Sequence, residues 1–212
     1  NLSMNIDKND ILIIFPLIAL LLLGIIMVAS SSIYIADNNE SNPFHFVQMQ
    51  SLFIAIGILA MICFLLLPSN FLYKTDWIFM LISIILLIAL FIPDIGTSVN
   101  GSTRWIRIGP VGIQPSEICK FSLILYISGY SVRRMSEIDS LRSFIKPLVL
   151  LFVISILIMF QPDLGSTAIV CALVVGILFY AGISYSQLGL LILLIALLGY
   201  LAITESPMRL AR

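Results

Sequence analysis

The chain has 212 residues, of which 60% are hydrophobic and only 10% charged, and its mean hydropathy is +1.13. Water-soluble domains are about 45–50% apolar and about 25% charged, so this composition excludes an ordinary soluble fold. The 11 basic and 11 acidic side chains give a formal net charge of zero. The net charge therefore does not suggest a nucleic-acid partner. The composition therefore predicts an all-α fold, a polytopic transmembrane helix bundle.

Seven apolar runs follow one another along the chain. A helix needs about 20 residues to cross the hydrocarbon of a bilayer, and the runs approach that length. We predict a single transmembrane domain over residues 1–212, with spans at about 11–30, 46–67, 77–92, 117–132, 147–160, 166–182 and 188–204. Lys74 and Asp76 are predicted to mark a short turn, and Pro147 to occupy the first turn of the fifth span.

Basic residues predict the orientation of the spans. The most charged loop is Arg133–Lys146, and loops rich in Lys and Arg favour the cytoplasmic side. With that loop inside, the N-terminus is cytoplasmic and the protein crosses the membrane several times. The two polar breaks Gly101–Lys120 and Gln161–Gly165 then both lie on the outer face.

The first of these breaks, GSTRWIRIGPVGIQPSEICK, contains charged side chains beside long apolar runs. Such charges are costly near hydrocarbon and usually have a partner or a function. Glu117 and Lys120 are three residues apart on a predicted helix, close enough to pair, and Ser116 is a candidate N-cap. The pair is either a structural feature that fixes the fourth span or a way of holding a cation for an anionic ligand.

Arg104, Arg107 and Lys120 give this stretch its cationic character. A guanidinium offers a two-pronged donor to phosphate, so the three cations suit a pyrophosphate or another phosphorylated lipid headgroup. Arg104 and Trp105 also suit a membrane interface, where arginines snorkel and aromatic side chains form belts. No glycine-rich nucleotide loop is present.

Asp163 is the only charged residue between Lys146 and Glu205, and it lies in the Pro-containing second break. An isolated carboxylate at that depth indicates a functional site; the alternative is an aspartate that caps the start of the sixth span. If the two breaks meet, its counterion is expected to be Arg104, Arg107 or Lys120.

Metal-binding patterns are not evident in the sequence. Cys63, Cys119 and Cys171 lie in or beside apolar runs and are expected to be small buried hydrophobic residues. The one histidine, His45, falls in a polar loop. Without ligand spacing, we predict no metal site and no evident cofactor.

Three motifs in order carry a family resemblance: Gly101–Trp105 (GSTRW), Gln114–Lys120 (QPSEICK) and Gln161–Ser166 (QPDLGS). This order resembles the SEDS family of shape, elongation, division and sporulation proteins (FtsW, RodA, SpoVE), which shows G-x-x-R-W, Q-P-[SA]-E-x-x-K and Q-P-D-x-G. Further segments are similar to the cell-division branch, namely Ile95–Ile106, Lys146-Pro147 and the terminal Glu205–Arg209.

The resemblance implies a peptidoglycan glycosyltransferase of septal cell-wall synthesis. Its substrate would be lipid II, an undecaprenyl-pyrophosphate glycolipid. Its partners would be membrane lipid, a class B penicillin-binding protein and other divisome proteins. A divalent cation could assist at the pyrophosphate. The family pattern marks five residues as members of an outer substrate-binding cavity: Arg104, Trp105, Glu117, Lys120 and Asp163.

The family fold has ten spans and a presumed catalytic aspartate in a large outer loop after the seventh. The present chain is expected to supply the first seven spans, with the catalytic carboxylate beyond Arg212, and to be inactive as it stands. Asp163 matches a different family motif. Two alternatives stay open from the residues: a lipid II flippase or transporter, and a membrane scaffold that recruits a penicillin-binding protein.

Overall fold

The computed structural model describes residues 8–39, 45–93, 95–99, 102–108, 111–137 and 140–204. Within these ranges the chain is mainly helical, which confirms the predicted fold class. The described residues form seven α-helices: α1 (Lys8–Asn39), α2 (His45–Leu66), α3 (Ser69–Ala89), α4 (Pro115–Arg133), α5 (Leu141–Met159), α6 (Leu164–Tyr180) and α7 (Tyr185–Thr204).

Four helices of the described part are long and apolar enough to cross a membrane, by length and composition. They are Ile11–Ser32, Phe46–Leu66, Ser69–Ala89 and Leu141–Met159, and two shorter apolar helices lie at Leu164–Tyr180 and Tyr185–Tyr200. The remaining helix, α4, carries Glu117 and Lys120 near its start. The chain is therefore a multi-pass membrane protein in which α4 is the most polar of the predicted spans.

The chain divides into two compact units, Asn1–Pro68 and Ser69–Arg212. In the first unit α1 packs against α2. Helix α1 is longer than the predicted 11–30 span because its serines do not end it. The hydroxyls of Ser31 and Ser32 donate to the carbonyls of Val28 and Ala29, so the polar groups are satisfied within the helix.

In the second unit, helices α3 to α7 surround one apolar core. Helix α4 packs against α3 and α6, and α5 packs against α6. The core side chains are almost fully excluded from the surface: Leu87, Leu123, Ile127, Ile154, Ile158, Val170, Val174, Leu178 and Leu191. Because α4 contacts neighbours on two sides, its two ends are fixed relative to this core.

The predicted turn at Lys74 and Asp76 is wrong, because both residues lie inside α3. Asp76 is 1% exposed, and its Oδ2 lies 2.8 Å from Nη1 of Arg133 on α4. A charge that is paired across two helices does not need to leave the helix for a loop. The sequence pattern showed the carboxylate but not its partner.

Helix α5 begins earlier than predicted, at Leu141. Ser140 is the N-cap, and its side chain accepts a hydrogen bond from the Ser143 N–H at 3.3 Å. Pro147 consequently lies inside the helix and not in its first turn. The charged segment between α4 and α5 is short and contains a 3₁₀ turn at Met135–Glu137.

A small antiparallel sheet that the sequence analysis missed occupies the polar stretch before α4. Its strands are β1 (Gly96–Val99), β2 (Ser102–Ile108) and β3 (Val111–Ile113), in the order β1-β2-β3. Thr97 lies opposite Trp105, and Arg107 lies opposite Gly112. Threonine, tryptophan and isoleucine favour strands. The hydrogen bonds between the strands satisfy the backbone N–H and C=O groups of this non-helical segment.

The predicted turn between the last two spans is present, and it depends on a glycine. Gly182 has φ +87°, a conformation that glycine adopts at little cost. The Gly182 N–H donates to Phe179 O, and the Ile183 N–H donates to Leu178 O. This is a Schellman motif, which satisfies the last carbonyls of α6.

Replacing Gly129 by alanine should destabilise the second unit. Gly129 is buried on α4, where a Cβ would overlap Oδ2 of Asp76 and lie 3.3 Å from Nη1 of Arg133. We expect a loss of about 1–3 kcal/mol, as for other overpacked sites, measured by thermal unfolding in detergent.

The matched control is Gly176→Ala on α6, where a Cβ would meet no atom within 4 Å. Alanine also favours helix over glycine by about 1 kcal/mol, so this variant should unfold at the same temperature or higher. Equal behaviour of the two variants would contradict the close approach at Gly129.

Candidate functional site

The two polar breaks meet in the structure. Arg104, on β2, reaches the turn between α5 and α6, where its Nε donates to the Gln161 carbonyl at 3.3 Å and its Nη2 donates to the Pro162 carbonyl. Its Nη1 lies 3.8 Å from Oδ1 of Asp163. Of the three cations considered, Arg104 is thus the one that pairs with Asp163.

Asp163 is the N-cap of α6 and a partner of Arg104 at once. Oδ1 accepts from the Ser166 N–H at 3.0 Å, and Oδ2 accepts from the Ser166 hydroxyl at 2.8 Å. The amide Nε2 of Gln114 also donates to Oδ2, at 3.4 Å. The residue is 7% exposed. Because its oxygens are already engaged by donors, the carboxylate is held as a fixed acceptor.

Helix α4 begins at Pro115, with Gln114 as the N-cap residue. The predicted N-cap at Ser116 is wrong, because Ser116 lies within the first turn and is buried. Proline suits the first helical position, since its fixed φ matches the helix and its missing N–H would be unpaired there. The Gln114 side chain makes no cap hydrogen bond and is free to contact Asp163.

Glu117 and Lys120 form the expected pair on the first turns of α4. Nζ of Lys120 lies 2.6 Å from Oε1 of Glu117, and the two side chains are 14% and 59% exposed. The carboxylate therefore lies outward and the ammonium inward. An ammonium has three donors, and in the described part of the chain Glu117 is the one hydrogen-bond partner of Lys120.

Trp105 and Arg107 lie apart from the Arg104 guanidinium. Trp105 and Arg107 are two residues apart on β2 and therefore share one face of the sheet. Arg104 falls where the register shifts, between the pair of Thr97 with Trp105 and the next pair of the ladder, so it is the extra residue of a bulge. The Trp105 ring lies against Gly112, where a Cβ would approach Cε3 to 3.1 Å. Arg107 is exposed and makes no salt bridge with a carboxylate of the described residues.

Two glutamines take part in this site although the sequence analysis did not single them out. Gln114 contacts Asp163, and Gln161 is 4% exposed, with its Nε2 donating to Leu87 O at 3.4 Å. Each glutamine is the first residue of a Gln-Pro motif, and this shared dipeptide could have indicated that both glutamines belong to the site. Gln161 anchors the end of α5 to the end of α3, which fixes the turn that Arg104 binds.

The described residues contain no group of three His, Cys, Asp or Glu side chains arranged for a metal ion. Cys119 and Cys171 are buried, as expected, whereas Cys63 is exposed on α2, so its predicted burial is wrong. A thiol behaves as a small hydrophobic group, so Cys63 is compatible with the apolar surface of α2. The side chain of His45 lies outside the described residues.

The start of α4 and the start of α6 converge at this site, as the contact between Gln114 and Asp163 shows. Helix N-termini carry partial positive charge and attract anions. Arg104 and Lys120 add two cations, and among the described residues Asp163 and Glu117 are the carboxylates that pair with them. An arrangement of this kind can bind the phosphates of a ligand at the membrane surface.

These features define a class: a multi-pass helical membrane protein with a polar cluster assembled from two breaks in its spans. The sequence model of the FTSW_RODA_SPOVE family, described as "Cell cycle protein", matches residues 10–212. The chain belongs to this family, which is the SEDS family that its motifs indicated.

Curated relatives agree with this membership. The chain is 38% identical to the "Probable peptidoglycan glycosyltransferase FtsW" of Legionella pneumophila over 99% of its own length and 54% of that protein. It is 34% identical to the protein of the same name from Hahella chejuensis, over 100% of the chain and 55% of that protein. The chain thus spans about half the length of these relatives.

Solved structures show the same fold at lower identity. The rod shape determining protein RodA of Thermus thermophilus matches with a TM-score of 0.61 and 22% identity, over 84% of this chain and 58% of RodA. A chain from a peptidoglycan synthase complex, described as coordinating polymerization and crosslinking, matches with a TM-score of 0.63 and 22% identity, over 88% and 56%.

Two substitutions of Asp163 should separate the contribution of its N-cap hydrogen bonds to stability from the contribution of its charge. Asp163→Ala removes both, whereas Asp163→Asn keeps an equally good N-cap and removes the charge that faces Arg104. We expect Asp163→Ala to lower the free energy of unfolding by about 1–2 kcal/mol more than Asp163→Asn, measured by thermal unfolding in detergent. Equal losses for both variants would show that the charge, and not the cap, dominates.

Proposed function

We propose that the full-length protein is a peptidoglycan glycosyltransferase that polymerises lipid II during cell division. The relatives named FtsW support this reading, and they are similar over nearly the whole of the present chain. The observation that carries it is that the starts of α4 and α6 meet at Asp163, where Arg104 is bound, with Lys120 in the second turn of α4. Lipid II combines a membrane anchor with a pyrophosphate, and both match the site.

In this proposal Arg104 and Lys120 bind the donor pyrophosphate. An acceptor sugar hydroxyl attacks the anomeric carbon of the donor, the bond from that carbon to the pyrophosphate oxygen breaks, and undecaprenyl pyrophosphate leaves. The two cations stabilise the charge that develops on the leaving group. A general base outside the described residues takes the hydroxyl proton, and we expect it to be an aspartate beyond Arg212.

The other three site residues hold this geometry. Asp163 and the turn carbonyls orient the Arg104 guanidinium, and Glu117 orients the Lys120 ammonium. Trp105 packs against Gly112 and would support the strand that carries Arg104. A divalent cation could assist by neutralising the pyrophosphate, which would itself supply the oxygen ligands that such ions prefer.

The membrane placement follows from the same proposal. The protein would lie in the bacterial inner membrane with its N-terminus in the cytoplasm, and the site would face outward, where glycan strands are assembled. Its partners would be a class B penicillin-binding protein, which crosslinks the product, and other divisome proteins. The peptidoglycan synthase complex that shares this fold supports such an assembly.

The enzyme is favoured over a lipid II transporter by the composition of α6 and α7. A transporter of a charged headgroup needs polar groups through the depth of the membrane, and neither helix contains Asp, Glu, Lys or Arg. The scaffold alternative predicts instead that loss of Arg104 or Lys120 leaves function intact.

Lys120→Met in the full-length protein should reduce lipid II polymerisation by about 100-fold, the usual cost of losing one preorganised group that stabilises transition-state charge. Methionine is unbranched and keeps most of the length of the lysine side chain, so the thermal unfolding temperature should fall little. The measurement is glycan-strand synthesis from labelled lipid II in detergent, where no second compartment exists.

The matched control is Arg142→Gln, which removes an exposed cation near the start of α5 and should leave polymerisation unchanged. Full polymerisation by Lys120→Met would refute its role at the pyrophosphate. Absence of polymerisation by the parent protein together with lipid II movement across vesicles would favour the transporter.

A further inference from the structure

A second polar feature lies at the opposite end of α4 from the site described above. Helix α4 has 19 residues, which at 1.5 Å per residue corresponds to about 28 Å, close to the thickness of the hydrocarbon layer. One end of the helix carries Gln114 and its contact with Asp163. We therefore expect the other end, at Arg133, to lie at the other membrane surface.

A cavity of about 500 Å³ is present at this second end, between α3, α4 and the start of α5. Four cations line it: Lys74, Arg133, Arg134 and Lys146. Asp76 is the one carboxylate among its lining residues. We name it the basic pocket. Its volume is in the range of sites that bind small molecules or headgroups.

The cations of the basic pocket are not equally neutralised. Asp76 is already paired with Arg133, and Glu137 lies 2.8 Å from Arg134. Lys74 and Lys146 have no carboxylate within 4 Å among the described residues, and both are exposed. Two ammonium groups therefore remain available to an anion that enters the pocket.

Aromatic side chains form the rest of the wall. Trp77 and three tyrosines line the pocket, and the rings of Tyr126 and Tyr130 stack with centroids 6.5 Å apart. The Tyr130 hydroxyl donates to Ser143 O at 3.0 Å, which ties the wall to α5. Tryptophan and tyrosine concentrate at the level of lipid headgroups, so this lining favours a position beside the phospholipid phosphates.

We propose that the basic pocket binds the phosphate of an anionic membrane phospholipid, with Lys74 and Lys146 as the principal contacts. Basic pockets between transmembrane helices are the known form of headgroup sites. The aromatic wall favours a lipid over an acidic peptide, because a peptide would gain nothing from the membrane interface. This inference is independent of the proposed catalytic function, since it concerns the other membrane surface.

The test compares soluble short-chain lipids on the full-length protein in uncharged detergent. Dihexanoyl phosphatidylglycerol is titrated against the parent, the Lys74→Gln/Lys146→Gln double variant and the charge-conserving Lys74→Arg/Lys146→Arg double variant, and the dissociation constant is measured by calorimetry. Phosphatidylcholine of the same chain length, inorganic phosphate and a penta-glutamate peptide are the comparison ligands.

We expect the glutamine variant to bind phosphatidylglycerol about 30-fold more weakly, which corresponds to about 1 kcal/mol for each cation near a membrane surface. The arginine variant should bind as the parent does, which also shows that the fold tolerates change at both positions. Phosphatidylcholine, phosphate and the peptide should bind weakly.

Equal affinity of the parent and the glutamine variant for phosphatidylglycerol would overturn the proposal. Inorganic phosphate that binds as tightly as the lipid would also overturn it, and so would the peptide as the tightest ligand. Polymerisation of lipid II is not the readout, so failure here leaves the catalytic proposal unaffected.

Discussion

The structure of the second unit depends on keeping charge out of hydrocarbon unless it is paired, and the Arg104 guanidinium is where this constraint has most effect. It joins β2 to the turn between α5 and α6 by binding two carbonyls and approaching Asp163. The sheet, the turn and the start of α4 become one assembly through these contacts. Each partner then lowers the cost of placing the others beside the membrane.

Helix α4 connects the two polar regions of the second unit. At its start, Gln114 contacts Asp163 and Glu117 pairs with Lys120. At its end, Arg133 pairs with Asp76, and Gly129 leaves the space for that carboxylate. The apolar residues between them pack against α3 and α6. One helix therefore connects the site around Asp163 with the basic pocket at its other end.

Much of this architecture was accessible from the sequence because the apolar runs are long and the motifs are local. The pairing of Glu117 with Lys120 needs only helical spacing, and the cap formed by Asp163 needs only the residues that follow it. Asp76 could not be placed, because its burial depends on Arg133 far along the chain. The sheet was missed for a similar reason, since its strands are short and gain stability only when paired.

The sequence by itself determined the class of protein, the family and the set of charged residues that had to be accommodated near lipid, because these follow from composition and from motifs in fixed order. Only the tertiary structure decided which charges meet. It placed Arg104, rather than Arg107 or Lys120, beside Asp163, because the register of the strands and the packing of the helices, not sequence distance, set which side chains come within reach.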